Sequence, residues 1–488
     1  SFAQLSDLHY LPPLKQRSST AAVETQSVYL STPNTTAFNA DVFVGTSATP
    51  VTTISISNSS PGVYSLGNGD NNVSMVTDSN TGVVLSNSGL RFKSQGGEQF
   101  YVNYRAYSGS QATSLTSKGR AAMGTEFRWG GIPQSRSGNV NNSTTLGIMA
   151  TEDNTTVTIS DYDPNSVFRL GANAAGITDD TMTITLNANE SYVVEAVVDQ
   201  TDYNLEGWLG ASVSSDKDIV ISNGGLNYSV LPDSDIRDAG IDQPVPVNLL
   251  GKEYIFVRGN GSNPLEFAII LATENNTDIF VGNNNTAVAT IDAGEYYKVE
   301  GSNYSGTTAG ANMYVRTSKN TYAYQTNAGT DSGANIGMNF IAPVSCLLPD
   351  TLDNISDISD IAGLSFTSGI TIIASTASPD NDIVVTDGSG VVTKPASQAV
   401  SGNSDWKTFY ISGLSGKVEV TSTSSIAVGF FGYAGSRSVA GYFSGFDNVS
   451  DVNVAITGDV CLPGASLTVT NSGDYQSFQW YLNGEEIA

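Results

Sequence analysis

Short segments in which apolar and polar residues alternate recur along the whole chain. Residues 157–159 and 279–281 are two examples, and each follows a turn rich in Asp, Asn and Thr. A period of two places neighbouring side chains on opposite faces of a strand, and Asp and Asn tolerate the backbone of tight turns. The pattern therefore predicts antiparallel hairpins and favours an all-β chain.

These hairpins belong to a longer repeat. The sequence IMATEDNT at residues 148–155 returns as ILATENNT at residues 270–277. Two further pairs of segments match in the same order, namely residues 186–195 with 291–300 and residues 211–221 with 314–324. Since a repeated supersecondary unit determines the architecture of a chain, we interpret each copy as a unit of about six short strands.

Fainter copies flank these two units. Residues 28–35 and 372–376 match the opening segment, while residues 99–107 and 417–431 have the character of closing hairpins. We therefore expect an all-β fold with four pseudo-repeated antiparallel units. Each unit is interpreted as a sandwich or jelly-roll-like pair of layers, and propeller-like packing of the units is the alternative arrangement.

The chain has 488 residues, a length that suits several domains. Residues 1–9 resemble the end of a secretory signal. The predicted boundaries of the units are 10–112, 113–235, 236–335 and 336–446, followed by 447–488 as the beginning of a further domain.

The pattern changes after Gly445. Cys461 and Trp480 follow in the order found in the first strands of an immunoglobulin-like sandwich. Because the sequence ends at Ala488, too early for such a domain, we expect the natural chain to continue and to supply the partner of Cys461. A disulfide between Cys346 and Cys461 is the competing interpretation.

The charge balance excludes two classes of partner. Lys and Arg number 21 against 47 Asp and Glu, which gives a net charge of −26. Such a surface repels phosphate backbones and anionic lipids, and no apolar run approaches the roughly 20 residues that cross a bilayer. We therefore expect no nucleic acid partner and no membrane span, and an extracellular, cell-surface location.

Several motifs occur in a fixed order along residues 9–446. They are HYLPPL at 9–14, the two ATE hairpins, SKG at 117–119, RDAGIDQ at 237–243, GKEYIF at 251–256 and FIAPVSC at 340–346. In this combination the chain resembles the IgGFc-binding-protein N-terminal domain family, in the form found in gliding-motility-associated bacterial surface proteins. The resemblance implies a secreted adhesive protein exported by the type IX route, which uses a C-terminal sorting domain. Antibody binding belongs to animal members and is not transferred to this chain.

Histidine chemistry has little support in this sequence. His9 is the only histidine, so Ser/His/Asp triads, Cys/His pairs and histidine metal sites are nearly excluded. A lone histidine in this Pro-flanked segment is interpreted as a packed or hydrogen-bonded strand residue. Glycoside hydrolysis needs only two carboxylates, so a carboxylate-dependent carbohydrate-active enzyme is the alternative function.

Four aspartates crowd one connector, with Arg237 between them: Asp233, Asp235, Asp238 and Asp242. Turn capping and pairing with Arg237 explain this cluster, and Ca²⁺ ligation is the competing interpretation, since hard oxygen ligands suit Ca²⁺. No other cofactor is expected. Two weaker cation loops, which turn chemistry explains more simply, are Asp380, Asp382 and Asp387, and Asp161, Asp163 and Asn165.

The leading hypothesis is a non-catalytic surface module that presents loops on rigid β units to a glycan or protein ligand. Domains outside this chain are expected to engage the secretion or surface-attachment machinery. A structural spacer within a large adhesin is a further alternative. Trp129, Trp208 and Trp406 are candidates for stacking on sugar rings, although core packing is the simpler interpretation. Glu152 and Glu274 occupy equivalent hairpins, and this repetition favours a structural role over a catalytic one.

Overall fold

The computed structural model forms two compact units, Ser1–Asp447 and Asn448–Ala488. It describes residues 4–16, 23–135, 142–231, 236–333, 336–345, 348–443, 454–458, 465–469, 480–482 and 485–487. Strands account for 51% of the described residues and helical residues for 5%. The predicted all-β class is therefore confirmed.

Four repeats, defined here by their strands, build the first unit. Repeat 1 contains β1 (Leu8–Leu11), β2 (Thr25–Ser31), β3 (Phe38–Val44), β4 (Thr52–Ile56), β5 (Gly62–Ser65), β6 (Val84–Leu85), β7 (Leu90–Ser94), β8 (Tyr101–Tyr107) and β9 (Ala112–Thr116). Repeat 2 contains β10 (Gly124–Arg128), β11 (Ser143–Ala150), β12 (Thr155–Ser160), β13 (Phe168–Leu170), β14 (Asn173–Ile177), β15 (Met182–Leu186), β16 (Ser191–Val197), β17 (Ser212–Tyr228) and β18 (Asp238–Asp242).

Repeats 3 and 4 make up the second half of the first compact unit. Repeat 3 contains β19 (Gly251–Val257), β20 (Ala268–Ala272), β21 (Thr277–Val281), β22 (Ala289–Ile291), β23 (Tyr296–Val299), β24 (Asn312–Ala328) and β25 (Ile336–Phe340). Repeat 4 contains β26 (Thr351–Ile355), β27 (Asp360–Ile361), β28 (Leu364–Ser365), β29 (Thr367–Ser375), β30 (Val384–Asp387), β31 (Gly390–Val391), β32 (Gln398–Ala399), β33 (Trp406–Leu414), β34 (Val418–Thr421), β35 (Ile426–Ala434) and β36 (Arg437–Tyr442).

Short 3₁₀ helices lie in the connections between strands. In the described residues they are Asp78–Asn80, Gly119–Ala122, Val198–Gln200, Asp202–Asn204, Val247–Leu249, Gly301–Asn303 and Asp380–Asp382. None of the helices in this part of the chain has the length and hydropathy needed to cross a bilayer.

Each repeat combines two antiparallel sheets whose strand order recurs. The distal sheet has the order β1-β7-β3-β4 in repeat 1 and β26-β34-β30-β31 in repeat 4. The axial sheet has the order β5-β2-β8-β9 in repeat 1 and contains β33-β29-β35-β36 in repeat 4. In repeats 2 and 3, the 17-residue strands β17 and β24 run through both sheets and replace two separate strands.

This topology changes two details of the sequence interpretation. The shared pattern has seven or eight strands per repeat where about six were expected, because edge strands as short as Gly390–Val391 show no readable alternation. The final strand of the axial sheet pairs with the strand before it, as β18 does with β17. Strand pairing therefore places β18 in repeat 2 and β25 in repeat 3. The predicted boundaries at 235/236 and 335/336 instead assign these two strands to the third and fourth units.

Burial explains why some strands alternate and others do not. In β12, a distal strand, buried residues alternate with half-buried ones. Every residue of the axial strands β11 and β16 is buried. A sheet covered on both faces has no polar side, so its strands lose the alternating pattern. The buried side chains of these strands form the core of repeat 2, which includes Ile148, Ile159 and Val213.

The repeated ATE hairpins form one structural corner. Asn154 and Asn276 have φ values of 54° and 56°, a left-handed backbone that asparagine tolerates. Equivalent side chains donate to equivalent backbone carbonyls: Lys217 to Asp153, Lys319 to Asn275, Thr155 to Glu152 and Thr277 to Glu274. The repeated motif is thus structural, in agreement with the interpretation of Glu152 and Glu274.

A glycine and a proline form another repeated contact. A Cβ added to Gly124 would lie 2.5 Å from the Cβ of Pro246, and one added to Gly251 would lie 2.4 Å from the Cβ of Pro343. Only glycine fits at so short a distance from a proline ring. The repeated first-strand glycine and the repeated connector proline in the sequence are therefore two sides of one contact.

The last strands of the four repeats surround a common axis. β9, β18, β25 and β36 contact one another in this cyclic order, and β36 contacts β9 again. The Ser114 hydroxyl of β9 donates a 2.5 Å hydrogen bond to the Ala440 carbonyl of β36. A Cβ added to Gly337 of β25 would lie 2.8 Å from the Cβ of Ala440, so the axis is tightly packed. The repeats thus form a four-bladed, propeller-like ring.

A buried arginine joins the first repeat to the last. The Nη1 atom of Arg105 donates to the carbonyls of Asp357 and Asp360, and Nη2 donates to the carbonyl of Ser356, each at 2.8 Å. The guanidinium carbon lies 4.0 Å from the ring centroid of Tyr29. These contacts attach β8 to the loop between β26 and β29 and so close the ring.

The second compact unit contains two hairpins in its described residues. β37 (Val454–Gly458) pairs with β38 (Ala465–Val469), and β39 (Trp480–Leu482) pairs with β40 (Glu485–Ile487). The immunoglobulin-like interpretation of this region stays a prediction. Cys346 and Cys461 lie outside the described residues, as does any disulfide between them.

Candidate ligand-binding site

The structure describes two of the four aspartates predicted to bind calcium. Asp233 and Asp235 lie outside the described residues. Asp238 and Asp242 both lie in β18 at the axis, four residues apart, which corresponds to about 13 Å along a strand. Calcium ligands lie within about 2.6 Å of the ion, so these two side chains do not share one ion. Calcium binding stays a prediction for this connector.

Asp238 and Asp242 instead connect blades of the ring. Asp238 accepts hydrogen bonds from a backbone N–H of β25 and, at 3.1 Å, from the Ser438 hydroxyl of β36. Asp242 lies 3.2 Å from Nζ of Lys118 and accepts from the N–H of Phe340 at 2.9 Å. Burial raises the pKa of both carboxyls, well above the usual range for Asp238, and burial lowers the pKa of Lys118. Asp238 and Asp242, two of the four aspartates in the acidic connector, therefore have a structural role in joining the blades.

The two weaker cation loops contain aspartates that bind nearby protein groups. Their carboxylates have these partners: Asp380 lies 2.8 Å from Lys407 Nζ and accepts from the Ser397 N–H, Asp387 accepts from the N–H groups of Ser389 and Ser415, and Asp163 accepts from Asn165. Within the described residues, no three His, Cys, Asp or Glu side chains are grouped so that they could hold a metal ion.

The three tryptophans lie in the protein core. Trp129 and Trp208 stack with ring centroids 3.9 Å apart, and both are buried. Trp406 is also buried. The preference for core packing is confirmed, and these rings are not available to stack on a sugar.

His9 is a buried strand residue, as the sequence predicts. Its Nδ1 lies 3.0 Å from the Ser117 hydroxyl, and its Nε2 lies 2.8 Å from the Phe100 carbonyl. Because Nε2 faces carbonyl oxygens, which only accept, Nε2 carries the proton of the neutral ring. Burial lowers the pKa of His9 to about 4.

The low pKa of His9 predicts a loss of stability at acid pH. A shift from 6.5 to about 4 corresponds to roughly 3 kcal/mol, present above pH 6.5 and lost as the pH falls towards 4, because the unfolded chain binds the proton first. Since the chain has one histidine, an imidazole NMR titration of protein without a His tag reports this group alone. A midpoint near 6.5 in the folded protein would contradict the assignment.

A polar pocket lies beside repeat 3, where three connections converge. They are residues 258–267 after β19, residues 300–311 before β24 and residues 329–333 after β24. The pocket has a volume of about 490 Å³, within the range of small-ligand sites. The residues that line it are Arg258, Asn260, Gly261, Ser262, Asn263, Pro264, Thr307 and Asp331.

A buried arginine organises the wall of this pocket. Arg258 is 1% exposed and donates from Nη1 to Oδ1 of Asn263 at 2.8 Å and to the carbonyl of Gly301 at 3.1 Å. Its Nη2 donates to the carbonyl of Gly261 at 2.7 Å. One side chain therefore ties the loop after β19 to the loop before β24 and fixes both.

A buried glutamate supports the same loop from below. Glu266 accepts hydrogen bonds of 2.9 to 3.1 Å from the backbone N–H groups of Gly259, Gly261 and Ala328. Burial raises the pKa of Glu266 to about 7, although these three donors and Arg258 lower it. The side chain of Glu266 thus holds the backbone of the loop at Gly259 and Gly261.

Three side chains of the pocket are anchored by hydrogen bonds to neighbouring protein groups. Asn260 donates from Nδ2 to the Tyr410 hydroxyl at 3.1 Å, and Asn263 accepts from Arg258 through Oδ1. Asp331 accepts from the Ser262 N–H at 2.8 Å. In the described part of the chain, no hydrogen bond engages Oδ1 of Asn260 or Nδ2 of Asn263. The pocket therefore offers oriented polar atoms that a ligand can use.

Sequence analysis did not identify this pocket. A signal was present, because Glu266 interrupts the otherwise apolar residues 264–272, and Arg258 directly follows the buried end of β19. A charged residue in an apolar run is buried with partners or interrupts the strand. Four of their partner groups lie within seven residues, but Gly301 and Ala328 lie 43 and 62 positions away, and no local pattern shows that these connections meet.

Comparison with known families supports a binding role for this region. The family model described as IgGFc binding protein matches residues 112–432, more than half of the chain. The matched region includes the last strand of repeat 1, all of repeats 2 and 3 and the pocket. No curated protein matches the chain. The chain belongs to the IgGFc binding protein family.

Proposed function

We propose that the chain is a non-catalytic binding module of a secreted bacterial surface protein, and that the pocket of repeat 3 is its ligand site. Glycans and proteins are the ligand classes. The observation that carries this proposal is an open cavity lined by polar side chains, where buried Arg258 and Glu266 hold the loop backbone through hydrogen bonds. The cost of burying Arg258 and Glu266 is offset by the hydrogen bonds with which they hold this loop in one conformation.

The ring architecture supports the same function. Loops at one end of a closed ring are held at fixed positions by the strands beneath them, so a ligand site built from them is preorganised. Membership of a binding-type family agrees with this role. Attachment to the cell surface through domains outside this chain would present many copies, and avidity would compensate for weak individual contacts.

The proposal predicts ligand binding that a blocked pocket abolishes. The fluorescently labelled chain is applied to an array of glycans and extracellular-matrix proteins, alongside Thr307→Trp, which fills the cavity from an exposed wall position. We expect bound spots for the wild type and at least tenfold weaker binding for the variant.

Thr183→Trp is the matched control. Thr183 is an exposed residue of β15 in the distal sheet of repeat 2, so the same change there should leave binding unaltered. An array without a bound spot would overturn the proposal in favour of a spacer, and turnover of a bound glycan would overturn it in favour of an enzyme. Equal binding by both tryptophan variants would remove the pocket as the site.

A further inference from the structure

The side chains that line the pocket offer both hydrogen-bond acceptors and donors. Oδ1 of Asn260 accepts, Nδ2 of Asn263 donates, the Asp331 carboxylate can accept further bonds beyond those from Ser262, and the Thr307 hydroxyl does both. A saccharide hydroxyl donates one hydrogen bond and accepts two, so neighbouring hydroxyls on one sugar ring can bond to both the donors and the acceptors of the pocket.

The charges around the pocket act against an anionic ligand. Both terminal nitrogens of Arg258 already donate to protein groups, namely Asn263, Gly301 and Gly261. The exposed ionisable group is Asp331, whose pKa is lowered by hydrogen bonds from Ser262, so it is a carboxylate at neutral pH. A second carboxylate or a sulfate would lie next to this charge and pay for its own desolvation.

The walls also provide limited apolar surface. Pro264 lines the pocket and provides this surface. Surfaces that recognise sugars combine oriented polar atoms with modest apolar contact to the C–H faces of the ring. The volume of about 490 Å³ accommodates one or two hexose units.

We propose that this pocket binds a neutral saccharide through adjacent hydroxyl groups, an inference that rests on the proposed function of the pocket. Asp331 and Asn260 accept from the hydroxyls, and Asn263 donates to one of them. Recognition is non-covalent, and the affinity of a single sugar unit is millimolar, as expected for a few exposed hydrogen bonds.

Saturation-transfer difference NMR on the full chain tests this inference. Glucose, galactose, mannose and N-acetylglucosamine are measured at millimolar concentration, with glucuronic acid as the anionic counterpart of glucose. At least one neutral sugar should give ring-proton signals, and glucuronic acid should bind at least tenfold more weakly than the neutral sugars that bind. Silence from all four neutral sugars, or equal binding of glucuronic acid, overturns the inference.

Two variants assign the binding to the pocket. Asp331→Asn keeps the acceptor for the Ser262 N–H and replaces the other oxygen by a donor, so we expect about tenfold weaker binding, the effect of roughly one hydrogen bond to a charged group. Asp405→Asn makes the same change at an exposed aspartate of repeat 4 and should bind as the wild type. Equal affinity of Asp331→Asn and wild type would contradict the inference.

This experiment separates the inference from the proposed function. If no sugar binds but Thr307→Trp still abolishes binding to a protein on the array, the module and its pocket stand and the ligand is not a saccharide. If the sugars fail and the array is also empty, both proposals fail. The two results are independent because the array includes proteins that contain no glycan.

Discussion

Replacing Arg105 with methionine is expected to lower the free energy of unfolding by about 4 kcal/mol or more. Arg105 is fully buried and supplies the hydrogen bonds to three backbone carbonyls of residues 356–360. Methionine fills most of the volume but leaves these carbonyls without donors, at about 1–3 kcal/mol for a buried group and less for the exposed Asp357. Urea denaturation of the variant and the wild type measures this loss of unfolding free energy, provided that its dependence on urea concentration is the same for both.

The position of Arg105 makes this a test of ring closure as well as of stability. The loop that it holds contains Asp357 and Ala362 with positive φ values of 43° and 50°, a strained backbone for residues other than glycine. In the variant, amide hydrogen exchange should become faster first in residues 356–366, before the rest of repeat 4.

The control for this change is Arg120→Ala. Arg120 forms its ion pair with Asp7 at the surface, with its side chain 49% exposed, so its loss should cost no more than about 1 kcal/mol. Equal unfolding midpoints for Arg105→Met and wild type would show that the ring does not depend on this contact. The unfolding free energy of Arg105→Lys should lie between those of the wild type and Arg105→Met, since a lysine reaches fewer of the carbonyls.

Local patterns in the sequence predicted the units of the fold well. The matched segments at residues 148–155 and 270–277 both begin in the second strand of their repeats, β11 and β20, and turn through the same corner. Residues 186–195 and 291–300 likewise form the equivalent strand pairs β15–β16 and β22–β23. A repeat conserves turn geometry and alternation because both are set by residues close in the chain.

Contacts between distant residues were not predictable in the same way. Arg105 acts on carbonyls about 250 positions away, and Asp331 meets the loop of Asn260 from a connection 71 positions away. Asp238 and Asp242 look like ion ligands in the sequence because clustered acids in a connector usually face solvent. Pairing of β18 with β17 carries both side chains to the ring axis, where they bind protein groups instead.

Replacing Lys118 with methionine is expected to cost about 3–5 kcal/mol at pH 8. Lys118 and Asp242 are fully buried and lie 3.2 Å apart, so the substitution leaves a buried carboxylate without its cation. The pKa of Asp242, already raised by burial, should rise further in the variant. Protonation then relieves the penalty, so the difference in stability between variant and wild type should shrink as the pH falls from 8 towards 5.

The double variant Lys118→Met/Asp242→Asn distinguishes a coupled pair from two independent packing effects. With both charges removed, the remaining cost should be smaller than the sum of the two single costs by at least about 2 kcal/mol. Asparagine retains one acceptor for the Phe340 N–H, so the connection between β18 and β25 is weakened but not lost. Additive costs that do not change with pH would mean that the pair contributes only volume to the axis, and the ion pair would then have no part in joining the blades.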